Sequence, residues 1–247
     1  MTPRIRIALI ALLALSGAAA CEGTETGNPI RAEVRVHAHS SVPAAVAVAV
    51  GAGGAVVTGT WIAAGGLELI GSDCAEASGQ TGPLPAGDYA SGGAPQLALE
   101  LLDPVQCAAR VRVTPAAAVG DAPTALVGHT VLLVGTRRDG TPFQLRTTAA
   151  GTLTLVATAS SFTLDEDMPA LFLGFDVATW LDGVDLDGAV ANGSGLVLIE
   201  PATDPARVAA FDAALAAGVE LYRDRDGNGR VDGPDDTLLA RGTRLDP

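Results

Sequence analysis

Lysine is missing altogether. All fifteen basic residues are Arg, among 30 glycines and abundant alanine, a bias that reads as GC-rich coding and from which no mechanism follows. Cysteine and histidine are scarce, three of each, and without Cys-x-x-Cys or Cys/His spacing they do not make a zinc site. Long apolar runs are absent too: the clearest, Ile7 to Leu15, has nine residues, well short of the ~20 needed to cross a bilayer as a helix. The glycine-rich pieces Gly51-Ala52-Gly53-Gly54 and Gly65-Gly66 lead into neither a helix nor a lysine, which argues against a phosphate-cradling loop. Positive charge is in deficit. The net charge of −13 argues against nucleic-acid or anionic-membrane binding by the domain itself. From Asp165 to Asp246 there are 17 acids against 6 arginines, compared with 11 against 7 from Glu22 to Leu164, so the C-terminal part is the place to look for cations.

What is present begins with an address. Arg4 and Arg6 form a positive start, Ile7 to Leu15 an apolar stretch, and Ser16-Gly17-Ala18-Ala19-Ala20 a zone of small residues, which is the layout of an export signal over 1–20. Cleavage would leave Cys21 first, followed by Glu22-Gly23-Thr24-Glu25-Thr26-Gly27-Asn28-Pro29, a polar tether, so that 21–30 reads as a lipidated N-terminus and linker. The junction resembles a bacterial lipobox, whose cysteine sulfur takes a diacylglyceryl group. Ala18-Ala19-Ala20 also satisfies the rule for ordinary signal peptidase, and the other reading is a secreted protein with a free N-terminal thiol. Tether, β-rich body and terminal calcium-type loop together resemble uncharacterised exported bacterial lipoproteins. That resemblance implies membrane attachment through the N-terminal lipid in the cell envelope, at the outer membrane or cell surface. Assigning Cys21 to lipid leaves Cys74 and Cys107 as a pair, expected as a disulfide in an oxidising compartment; two buried thiols are the plainer alternative.

Alternation of Ala32, Val34, Val36 and Ala38 with Arg31, Glu33, Arg35, His37 and His39 predicts a half-buried strand with the histidines outward on a solvated face; half of a metal site is the weaker reading of that pair. Further strands are expected over 44–50, 55–62, 67–70, 96–102, 106–114, 151–157, 171–177 and 195–200, with a hairpin of 129–136 and 141–147 around Asp139-Gly140. Residues 73–95 read as a loop, and in 106–114 Cys107 shares the inward face of Ala109, Val111 and Val113. Asp204 as cap, Pro205 at the first turn, and Val208, Phe211 and Leu215 on one face predict one helix stopped near Gly218, then a strand through Val219 and Leu221. The fold class expected is mainly β: an antiparallel sandwich-like domain over 31–203, with one C-terminal helix and a calcium-type loop in 204–247.

That loop is Asp224-Arg225-Asp226-Gly227-Asn228-Gly229-Arg230-Val231-Asp232-Gly233-Pro234-Asp235. Oxygen side chains at Asp224, Asp226 and Asn228, glycine at the sixth position for the sharp turn, the Arg230 carbonyl, Asp232 through water and Asp235 at the twelfth are hard ligands suited to Ca²⁺. An Asp/Asn/Gly-rich turn without metal is the plainer alternative. With Asp in place of Glu at the end, the loop resembles the calcium loop of dockerin modules, in which a helix with paired leucines and a basic residue follows, here Leu238-Leu239 and Arg241; dockerins carry two such segments and this chain has one. No catalytic constellation stands out, so the function expected is a structural or binding role with a protein or glycan ligand not specified. The competing class is a secreted hydrolase or carbohydrate-binding module using Asp165, Glu166, Asp167, Asp176, Asp182, Asp185 and Asp187 around Trp180. Solvated turns and a core anchor are the simpler reading of those residues.

Overall fold

The first described strand already shows the pattern on which the fold is built: along Ile30–His39 the even positions from Ala32 to Ala38 are buried and the odd ones partly exposed, the period of two of a strand with one face in the core. The computed structural model describes residues 29–40, 48–50 (backbone), 54–85, 87–90, 95–117, 123–164, 170–225 and 236–247. In chain order the strands are β1 (Ile30–His39), β2 (Val48–Val50), β3 (Ala55–Ile62), β4 (Ala64–Gly71), β5 (Ala77–Gln80), β6 (Gln96–Leu101), β7 (Val105–Val113) and β8 (Val131–Thr136). They continue with β9 (Pro142–Thr147), β10 (Gly151–Ala157), β11 (Phe162–Thr163), β12 (Ala170–Asp176), β13 (Val197–Ile199), β14 (Val219–Asp224) and β15 (Thr237–Asp246). Two α-helices, α1 (Val177–Asp182) and α2 (Pro205–Leu215), lie between β12 and β14.

Strand neighbours run β10-β15-β14-β12-β1-β6-β5-β4-β7, and β7 also pairs with β10, so nine strands close into a ring. A ring with an odd number of strands cannot alternate direction all the way round. One parallel contact is obligatory, and it is β1 beside β12, with Val34 opposite Leu171 through to His39 opposite Asp176. Inside, Val34, Val36, Leu67, Leu99, Val111, Leu155, Leu173 and Leu221 fill the space; outside stand Arg31, Glu33, Arg35, Arg110 and Arg112. This polarity is the reverse of a membrane-spanning barrel, whose outer surface is an apolar band. Among the described residues no helix is long and apolar enough to cross a membrane.

A second sheet, β13-β9-β8-β3-β2, is open, with β13 parallel to β9 and the other pairs antiparallel. Strand β3 passes into β4 through Ala63 alone, so the chain crosses from open sheet to ring without a turn, and buried residues of both sheets belong to one core. Helix α1 lies against α2, β1 and β2, and α2 against β9 and β13.

The fold is therefore mainly β, as the alternation indicates, but the antiparallel sandwich is corrected to a mixed closed ring beside an open sheet. The physical reason is β7, whose nine residues pair on one side with β4 and on the other with β10, leaving the nine ring strands without a free edge. Other corrections are local. The expected loop over 73–95 contains β5 and a core aromatic, Tyr89, 1% exposed, whose backbone bonds to Thr60 and Ala38 carry the segment across the end of β3. The expected single helix is joined by α1, where Asp176 caps by accepting from the Ala178 N–H at 3.0 Å, a signal hidden by the β-rich run before it. Helix α2 and the strand after it lie where expected. Residues 219–224 and 237–246 supply two staves of the ring, so the stretch 204–247 shares a sheet with 31–203.

Candidate functional site

Cys74, in the turn after β4, and Cys107, on β7, form a disulfide with their Cα atoms 5.7 Å apart, within the ordinary range. Strands β4 and β7 are hydrogen-bonded neighbours, so the bridge staples a turn to the strand its own hairpin lies against. Cys107 is 6% exposed and on the face of Ala109 and Val111, as its spacing indicates, while Cys74 sits at the surface with φ of +58°. Cys21 lies outside the described residues.

The calcium-type segment joins β14 to β15. Asp224, the last residue of β14, has no exposed surface, and its Oδ2 lies 3.9 Å from an Arg35 nitrogen of β1. Asp226, Asn228, Arg230, Asp232 and Asp235 lie outside the described residues. Among the described residues no group of three His, Cys, Asp or Glu side chains is placed to hold a metal. The loop is entered by a strand and left by a strand: Leu238, Leu239 and Arg241 belong to β15, not to the helix that the dockerin resemblance implies. Pairing of β15 with both β14 and β10 satisfies its backbone on two sides, which outweighs the helical tendency of Leu-Leu-Ala-Arg.

On the outer face of β1, β12, β14 and β15 the structure assembles a charged cluster that alternation alone misplaces. His39 points outward, as expected, yet its side chain is only 10% exposed. Its ring lies over Gly174, where an added Cβ would come within 2.8 Å of it, and edge-on to Phe172 and Tyr222 at centroid distances of 6.4 and 5.9 Å. Nε2 of His39 is 3.3 Å from Glu220 Oε2, an electrostatic contact whose angle falls short of a hydrogen bond. Glu220, 4% exposed at its side chain, accepts from the Tyr222 hydroxyl at 2.6 Å and from Arg241 Nε at 2.8 Å. Burial alone would raise its pKa, but His39, Tyr222 and Arg241 outweigh burial and hold it down at about 2. Burial and the neighbouring Glu220 carboxylate push the Tyr222 phenol well above its usual range. A glycine across from an outward histidine, flanked by Phe and Tyr two residues away on the paired strands, is the signal that would have found this cluster, but it needs the register.

Around Trp180, two of the described acids, Asp176 and Asp185, have structural tasks. Trp180 is 1% exposed, packs against Phe175 and Phe211, and donates its indole N–H to the Leu215 carbonyl at 2.8 Å, the core-anchor reading. Asp176 caps α1, Asp185 accepts from Arg207, and Asp165, Glu166 and Asp167 lie outside the described residues. Arg137, from the β8–β9 turn, donates to the carbonyls of Leu186 and Ala189 at 3.0 and 2.8 Å and pins the loop that follows α1. Among the described residues the arrangement is one of buried ion pairs and pinned loops. No protein-family model matches the chain, and neither a curated protein nor a solved structure matches it.

Proposed function

We propose that the chain is an exported, lipid-anchored envelope protein with a structural or binding role, attached through Cys21 and stabilised at its C-terminal hairpin by Ca²⁺. The observation that carries this reading is the Cys74–Cys107 bridge: it is at home in an oxidising compartment, and it leaves Cys21, at the end of the export signal, as the one remaining cysteine of three. Cys21→Ser should shift the protein from the membrane fraction to the soluble fraction, because stable attachment needs the acyl chains. Unchanged fractionation of that variant would sink the anchor.

The loop closing the β14–β15 hairpin offers only oxygen donors, and its carboxylates repel one another without a cation. Asp224 would supply the first ligand from the end of β14, so a bound ion would tie the two strands together at their open end. With Asp235 shorter than the usual Glu, the affinity expected is on the order of 10⁻⁴ M. At ten times that concentration linkage adds about 1.4 kcal/mol, visible as a thermal shift. Asp224→Ala with Asp226→Ala should remove the shift; absence of heat and shift in the wild type at millimolar Ca²⁺ would reduce the loop to a turn.

A further inference from the structure

The loop between α1 and β13 and the start of α2 enclose an open cavity of about 560 Å³, within the ordinary size range of small-molecule sites. One wall is the Arg207 guanidinium, held by three acceptors: Nε donates to the Asp185 carbonyl, Nη2 to Asp185 Oδ2 at 2.9 Å and Nη1 to Asp204 Oδ2 at 2.7 Å. Among the described residues, two of its five N–H groups, one on each terminal nitrogen, stay uncommitted. The clamp depends on Gly188, where a Cβ would fall 2.1 Å from Asp185 Oδ2 and 2.8 Å from Arg207 Nη2. Also in the lining, Asn192 accepts at Oδ1 from Ser194 N, Ser194 Oγ and Leu196 N at 3.0, 2.7 and 3.1 Å, which fixes the amide and leaves its NH₂ to donate. The Thr203 hydroxyl donates to the Leu198 carbonyl at 3.0 Å and keeps its lone pairs. Val190, 89% exposed, stands at the rim.

Held donors and acceptors thus ring a cavity with an apolar edge; its lining holds one cation, Arg207, and one carboxylate, Asp204, while Asp185 binds Arg207 from beyond the lining. With two carboxylates already bonded to the one cation, an anion finds no uncompensated positive charge there, and a wholly apolar ligand would leave the donors unpaired. We infer that this cavity is a subsite for a neutral, hydroxyl-rich small molecule, of the size and chemistry of a pyranoside. Vicinal hydroxyls both donate and accept, which matches the free N–H groups of Arg207 and Asn192 and the lone pairs of Asp204 and Thr203, while Val190 covers a C–H face. The inference does not depend on the anchor or on calcium. It also places a glycan contact away from the buried Trp180.

The test is an amide NMR titration of the purified full chain with the methyl glycosides of glucose, galactose and mannose at tens of millimolar. Saturable shifts at Val190, Asn192, Leu198 and Thr203 are expected with at least one of them, and methyl glucuronide should bind more weakly than the glucoside. Val190→Glu alters an exposed side chain at the mouth and should weaken binding at least about tenfold with Tm unchanged. No saturable shift with any of the three, binding of the glucuronide equal to or above that of the glucoside, or full affinity in Val190→Glu would each overturn the assignment.

Discussion

In the ring every strand but the appended β11 has a neighbour on both sides, whereas the five-strand sheet ends at β2 and β13 and carries α1 and α2 over its strands. Closure removes edges by hydrogen bonding; the open sheet depends on side chains packed from elsewhere. The ring should therefore tolerate loss of single contacts better than the layer where helices meet sheet. Trp180 is the sharpest place to break that layer, since it contacts Phe175 of the ring and Phe211 of α2 and bonds to Leu215. Trp180→Ala should cost about 3–5 kcal/mol in chemical denaturation, more than any other single substitution in the ring or the helical layer. A loss below about 1 kcal/mol would mean that the helices are not held through this side chain.

The bridge adds covalent closure to a ring already closed by hydrogen bonds. Its sequence separation of 33 corresponds to roughly 3–4 kcal/mol in the chain-entropy view. Reduction should lower Tm by that equivalent and leave two alkylatable thiols, without the far-UV change that opening of the ring would produce. If peptide mapping of oxidised protein finds both thiols free, the staple is absent.

Much of this was legible in the sequence because a strand's period shows whenever one face is buried: β1, β7, the β8–β9 hairpin and β10 are each marked by their own residues. The cap Asp204, Pro205 and the Val208, Phe211, Leu215 stripe likewise mark α2. Ring closure was not legible, since it depends on which strands meet, and nothing local in β7 announces that it will pair with β10 as well as β4. Helix α1 is six residues long and follows a run buried on both faces, so its start at Asp176 is masked by apolar sequence that reads as one longer strand. Strand β15 was hidden by Leu-Leu-Ala-Arg, residues that favour a helix until two partner strands claim the backbone. Candidate sites fared in the same way: the disulfide follows from counting cysteines, while the Glu220 cluster and the Arg207 clamp join residues up to 181 positions apart in sequence or depend on how a glycine packs.

On the ring's side, acid stability rests on Glu220. Its folded value of about 2 lies below the ordinary 4.5, so its contribution is fully present above the ordinary value and is lost as pH falls through that window toward 2. The size is about 3 kcal/mol for a side chain that is nearly buried. Glu220→Gln should therefore be less stable than wild type at neutral pH and should converge with it near pH 2, measured by denaturant midpoints across the range. Parallel pH curves for the two proteins would remove Glu220 from the account of acid stability. An exposed pair on the same outer face, Arg31 with Glu100 at 79% and 61% exposure, should give less than about 0.5 kcal/mol in the same assay.

Asp212 is the counterpart in the helical layer and should respond with the opposite sign. It sits on α2 above β9, where among the described residues it accepts one hydrogen bond, from the Thr147 hydroxyl, and has no cation bonded to it. Burial raises its pKa, and the Thr147 bond offsets only part of that rise. A carboxylate raised in the folded state favours folding in its protonated form, so its contribution is greatest in acid and declines as pH rises through the folded value. Asp212→Asn keeps a carbonyl to receive the Thr147 hydroxyl and removes the charge that burial penalises. Stability at neutral pH should hold or rise slightly, by less than about 1 kcal/mol, whereas Thr147→Val should lower it by leaving the carboxylate without its donor. A marked loss in Asp212→Asn would show that the charge itself is needed there, and that the helical layer relies on ion pairing as the outer face of the ring does.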